Sequence, residues 1–191
     1  REAAVLLYTS QEKEYKQAKQ RAAQNLGARV LPSNIEVAHE LDNLADEREG
    51  SARREELLKK RREAPQIMEA LRDFHPRLIG SVWRGTAHRN SDIDIVTFSS
   101  EPTTVLHKLE QEGFGAVKTE WQSAPKLDKR ERSLHIYLLL SSGDEAEVVV
   151  RSLERIDQKV RCEIYGDTVT GLSHRQLERL LEENPLQKFA P

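Results

Sequence analysis

Apolar positions recur at helical spacing through the first third of the chain and at strand spacing through its middle. Thr9-Ser10-Gln11-Glu12 has capping-box spacing, and the segment after it, rich in Ala, Lys, Gln and Glu, predicts a helix that stops at Gly27. Val30-Leu31-Pro32 reads as a linker. Ser33 is placed to cap a second helix, with Ile35, Ala38, Leu41, Leu44 and Ala45 on one face and Gly50 at its end. A third helix starts near Ser51. Pro65 either kinks it or opens a fourth helix carrying Ile67, Met68, Leu71 and Phe74.

Short alternating or apolar runs then predict strands at 77–80, 92–98, 116–121, 134–140 and 146–150. Ser141-Ser142-Gly143-Asp144 reads as a hairpin turn between the last two. Pro102 opens a predicted helix through Val105, Leu106 and Leu109 to Gly113. Residues 160–165 read as a further strand and Gly166-Asp167 as a turn. Ser173-His174-Arg175-Gln176 caps a closing helix that Asn184-Pro185 ends. The class is α+β, and the expected division is a helical arm over 1–65, a core over 66–155 and a strand-helix extension over 156–191.

Composition narrows the function. The chain has 191 residues and a formal charge of −2 from 30 basic and 32 acidic residues, so no global field advertises nucleic-acid binding. Charged residues at 32% suit a heavily solvated surface and point weakly to a heat-adapted source. The one cysteine, Cys162, excludes an internal disulfide and fits a reducing compartment. No run approaches a membrane span and no signal peptide is visible, so a cytoplasmic protein is expected. The chain begins at Arg1 rather than Met, so its natural start is expected upstream.

The chemistry lies between Leu78 and Phe98. Gly80-Ser81 ends an apolar run, and Asp92 and Asp94 follow, alternating with Ile93 and Ile95. On a strand the two carboxylates share one face while the isoleucines take the other. Paired carboxylates beside a small-residue turn are what magnesium-assisted phosphoryl or nucleotidyl transfer requires. Gly80 would let a phosphate approach, Ser81 would donate its hydroxyl, and Arg84 would neutralise phosphate charge. Asp92 and Asp94 would hold one or two Mg²⁺, with Mn²⁺ as a substitute. Glu147, a lone charge in Ala-Glu-Val-Val-Val, is the candidate third acid, because a bare charge in such a strand needs a partner. Its alternative is an edge-strand residue facing water, with Glu145 as the fallback ligand.

Ile79-Gly80-Ser81 followed by Asp92-Ile93-Asp94-Ile95 resembles the signature of the DNA polymerase β nucleotidyltransferase superfamily, over roughly residues 66–152. Arg84-Gly85-Thr86, Ser91-Asp92 and His135-Ile136-Tyr137 with Glu147-Val148-Val149 are similar to archaeal CCA-adding enzymes in particular, and the whole chain to archaeal stand-alone, minimal-type nucleotidyltransferases. The resemblance implies a mixed β-sheet with helices on one side. It implies metal binding by Asp92, Asp94 and Glu147, where Asp is usual at the third place, and nucleotide β- and γ-phosphate binding at Gly80 and Ser81.

The expected activity is transfer of a nucleoside monophosphate from a nucleoside triphosphate to an acceptor hydroxyl of RNA or of a partner protein, with no membrane partner. The alternatives are a minimal nucleotidyltransferase that modifies a partner protein in an antitoxin-like role, and a non-catalytic nucleotide- or RNA-binding module. His88 and Arg89 read as solvated loop residues near the nucleotide. His135 either faces the site or merely starts a strand. The other histidines share no ligand spacing, against a zinc site. Trp83 and Trp121 read as core aromatics rather than base-stacking ones. The basic runs 59–62 and 126–132 suit either an acceptor or ordinary solvated faces.

Overall fold

The computed structural model of the protein describes residues 1–123 and 132–190. Among them the alternating runs assemble into one mixed sheet of strand order β3-β4-β5-β2-β1-β6. The strands are β1 (Arg77–Ile79), β2 (Ile93–Phe98), β3 (Ala116–Ser123), β4 (Arg132–Leu139), β5 (Glu145–Arg151) and β6 (Leu172–Ser173). β2 and β5 pair in parallel and every other pairing is antiparallel. Period-two alternation sorts the faces. Leu78, Ile93, Ile95, Leu134, Ile136, Leu138, Ala146, Val148 and Val150 are all buried on one of them.

Helices cover that face: α4 (Ala52–Ala70), α6 (Pro102–Gln111) and α7 (His174–Glu183). Their apolar stripes, including Leu57, Ala64, Ile67 and Met68 of α4, Val105 and Leu109 of α6, and Leu177 and Leu180 of α7, close the core. α4 runs unbroken through Pro65, whose lost hydrogen bond is outweighed by the buried residues on either side of it. The helix also crosses the expected boundary at 65, and β6 joins the sheet from beyond the one at 155.

The arm folds as α1 (Glu2–Tyr8), α2 (Tyr15–Leu26) and α3 (Asn34–Glu49). Ala3, Leu6, Leu7, Ala18, Ala22 and Val37 form a small core of their own. Ser33 caps α3 and Ser173 caps α7 in full capping boxes. The predicted first helix starts later than expected, at Tyr15, because Thr9 and Ser10 form the turn that ends the unforeseen α1. Residues 160–165 form no strand; only an isolated bridge joins Arg161 to Thr168. No helix among the described residues is long and apolar enough to cross a membrane.

The basic run at 59–62 is not a solvated face. Lys60 and Arg61 are fully buried. Lys60 meets Asp144 at 2.5 Å, and Arg61 donates to the carbonyls of Val82, Trp83, Pro185 and Gln187 at 3.0, 2.9, 2.6 and 2.8 Å. Of the second basic run, Lys129 and Arg130 lie outside the described residues.

Candidate active site

The sheet face opposite the core carries the acids. Asp94 on β2 is registered directly against Glu147 on β5, and neighbours in a parallel pair point the same way. Asp92 precedes the strand by one residue and shares Asp94's parity. On β4, Tyr137 lies opposite Glu147 and His135 one step further along the same face. The three acids are half-buried or deeper, and among the described residues no three Asp, Glu, His or Cys side chains already close around one metal position.

Their electrostatics are lopsided. Burial, then the charges of Glu147 and Asp92, push the Asp94 carboxyl up to about 8. Asp92 is also raised, chiefly by burial; Lys13 opposes the shift, and Glu145 and Glu147 add to it. Burial would raise Glu147 too, yet hydrogen bonds from His135 and Tyr137 outweigh it and hold that carboxyl below its ordinary range. His135 Nδ1 lies 2.6 Å from Glu147 Oε1, and its Nε2 lies 2.9 Å from Ser133 Oγ. An ionised carboxylate only accepts, so His135 donates to it from Nδ1. His135 therefore faces the site. Crowded hard-oxygen donors that burden one another's ionisation suit a divalent cation of the magnesium kind.

Gly80 opens the short helix α5 (Gly80–Arg84) directly after β1, at φ +68°. A Cβ there would stand 1.9 Å from Asp94 Oδ2 and 2.7 Å from its Cγ. The glycine therefore makes room for the carboxylate itself, a reason more immediate than phosphate approach. A cleft of about 710 Å³ is lined by Gly80, Ser81, Asp92, Asp94, Glu145 and residues of the arm, among them Lys13 and Tyr15. A second chamber of about 210 Å³ shares Gly80, Ser81 and Tyr15 and is walled mainly by apolar groups, including Leu41, Trp83, Ile164 and Tyr165.

Arg84 departs from its expected place. Its guanidinium binds Asp167 at 2.7 Å and the Phe189 carbonyl at 3.1 Å, and lies between the rings of Trp83 and Tyr165 at 4.5 and 4.6 Å. It walls the chamber rather than standing free for phosphate. His88 is buried, not solvated: its ring packs 5.2 Å from that of Tyr8, and burial lowers its pKa to about 4. Arg89 is exposed and reaches Glu49 at 3.4 Å. Trp83 is buried as expected, but Trp121 is 50% exposed on the edge strand β3.

The loop between α5 and β2 is fastened by α4 and the arm. Arg53 donates to the carbonyls of Ala87 and Thr86 at 3.0 and 2.8 Å, Asn90 to that of Tyr8 at 2.8 Å, and the Arg89 amide to Glu49 at 3.1 Å. Lys13, Tyr15, Leu41 and Ile164 carry no motif, and only the folding of arm and tail around the turn brings them to the cleft.

A family model described as nucleotidyltransferase domain matches residues 62–164, more than half of the chain. The chain belongs to the nucleotidyltransferase family. Gly80-Ser81, the Asp pair and Glu147 all fall inside the matched span, in agreement with the polymerase β resemblance of the sequence. This nucleotidyltransferase has no match among curated proteins. Among solved structures it is similar to Cid1 in complex with the UTP analogue UMPNPP, at 20% identity and a TM-score of 0.37 over 52% of this chain and 31% of that one. A cytoplasmic RNA terminal U-transferase gives 17% and 0.36 over 61% and 34%, and the GLD-2/RNP-8 complex 15% and 0.36 over 53% and 39%. The nucleotidyltransferase thus spans about a third of the length of these chains, and likeness at this level carries no argument about substrate.

Proposed function

We propose that the protein transfers a nucleoside monophosphate from a nucleoside triphosphate to an acceptor hydroxyl and releases pyrophosphate. The observation that carries this reading is that Asp92 and Asp94 line one cleft with the Gly80-Ser81 turn, with Glu147 registered against Asp94 on the same sheet face although Glu145, not Glu147, lines the cleft itself. Asp92, Asp94 and Glu147 would hold Mg²⁺, or Mn²⁺ in its place, after side-chain rotation. Such an ion, when bound, neutralises charge on the transferring phosphate. Ser81 donates its hydroxyl to the phosphates, and the apolar chamber beside it suits the base. The acceptor oxygen bonds to the α-phosphorus as the α–β bridging bond breaks. Glu147, kept ionised by His135, takes the acceptor proton or passes it to water.

The acceptor is a hydroxyl of RNA or of a partner protein, and a single incubation separates the two. The protein, Mg²⁺ and α-labelled ATP, GTP, CTP or UTP are mixed with total cellular RNA and protein. Label in one pool names the acceptor. Asp92→Asn or Asp94→Asn should lower incorporation by roughly two orders of magnitude or more while the protein stays folded. Near-normal turnover by either folded variant would sink the assignment, and absence of both incorporation and triphosphate binding in the wild type would favour a non-catalytic module.

A further inference from the structure

Among the described residues three cations line the cleft: Lys13, Lys60 and Arg89. Two are taken. Lys60 meets Asp144 at 2.5 Å and Arg89 meets Glu49 at 3.4 Å. Arg84, the cation nearest the phosphate turn in sequence, is held by Asp167. Lys13 is exposed and has no carboxylate at ion-pair distance among the described residues. Its neighbour Glu12 is occupied by Arg21 at 3.0 Å. Lys13 nevertheless lines the same cleft as Gly80, Ser81, Asp92 and Asp94.

The backbone around Lys13 is fixed. Gln11 and Glu12 both donate their amides to the Leu6 carbonyl, at 3.0 and 3.2 Å, and Ser10 takes a left-handed conformation at φ +54°. The connection between α1 and α2 is therefore a built turn. A triphosphate lying between the Gly80-Ser81 turn and the acids brings several negative charges into this cleft, and a mobile ammonium on an ordered turn is suited to meet them.

We propose that the α1–α2 turn of the helical arm binds the polyphosphate of the nucleotide, with Lys13 as the contacting cation. The proposal rests on the nucleotidyltransferase reading and extends the site to a part of the chain outside the family match, which begins at residue 62. Lys13 holds the β- and γ-phosphate end and remains with the pyrophosphate as it leaves. The arm is thereby a component of the substrate site as well as a brace for the loop that carries Asp92.

The test is titration of the full chain, in Mg²⁺, with inorganic tripolyphosphate, with each of the four ribonucleoside triphosphates and with the matching monophosphates. Lys13→Ala should weaken tripolyphosphate and triphosphate binding about tenfold or more while leaving monophosphate affinity unchanged. Lys13→Arg should recover most of the loss, and Lys16→Ala, an exposed residue of α2 outside the cleft lining, should match the wild type. Unchanged tripolyphosphate affinity in Lys13→Ala overturns the proposal. An equal loss of monophosphate binding also overturns it, since the turn would then be shaping the site rather than reading phosphate. A wild type that binds no triphosphate removes the nucleotidyltransferase reading and this inference with it; a wild type that binds while Lys13→Ala is indifferent removes this inference alone.

Discussion

At the scale of single residues, the site is a balance of crowding against charge. Gly80 lacks the Cβ that would strike Asp94 Oδ2, and it adopts a backbone angle that other residues resist. Gly80→Ala should displace the Asp94 carboxylate and cost about 2 kcal/mol or more in stability, with turnover falling at least tenfold; calorimetry and the incorporation assay read the two effects separately. His88, which lines the same cleft as Asp92 and Asp94, offers a pH test of its own. Its folded pKa of about 4 lies below the ordinary 6.5, so between these values the unfolded chain binds a proton that the folded chain refuses. The contribution of His88 to stability is thus lost as pH falls through that window, by about 2 kcal/mol at pH 5, against the gain from the raised Asp94 carboxyl. His88→Gln, whatever it costs at pH 7, should become more stable relative to the wild type by about 2 kcal/mol between pH 7 and pH 5. Parallel melting curves in the two proteins would show that His88 is not held neutral.

At the scale of elements, what matters is how α4 and the arm hold the loop before β2. Arg53 is buried and joins Asp42 and Asp46 of α3 to the carbonyls of Thr86 and Ala87. Among the described residues, Arg53→Ala leaves those carbonyls without a donor and Asp42 with only Lys188. The expected loss is about 3 kcal/mol, equivalent to a Tm fall of roughly 6–12 °C. Amide exchange should quicken first at residues 86–91, before it does in β2 or β5. Uniform acceleration would mean that the loop is not the dependent element. The strands were the most legible elements in the sequence, because a sheet buried on one face needs period-two alternation and tolerates no slip. α1 and the start of α2 were not, since Thr9 and Ser10 satisfy a capping pattern as well as they satisfy the turn after a helix.

At the scale of the molecule, Arg61 is the joint. It has no carboxylate partner among its hydrogen bonds, which instead tie α5 and the tail at Pro185 and Gln187 to the centre of α4. Arg61→Met should therefore cost about 3 kcal/mol and expose the segment after residue 184 to protease, whereas Arg62→Ala, an exposed neighbour, should change stability by no more than about 0.5 kcal/mol. Equal protease resistance in the two variants would contradict this role. In sequence the two arginines are indistinguishable members of one basic run. By itself the sequence determined the α+β class, the strands β1 to β5, and the Gly-Ser turn with its Asp pair, but neither β6 nor the absence of a strand at 160–165. These follow from local periodicity and from chemistry packed into a short segment. Only the tertiary structure decided that Glu147 stands beside Asp94 with His135 behind it, that Arg84 turns to Asp167, and that Lys13 and Tyr15 border the cleft. Those facts depend on which distant segments meet, and side-chain partners across such distances are set by packing that no local pattern encodes.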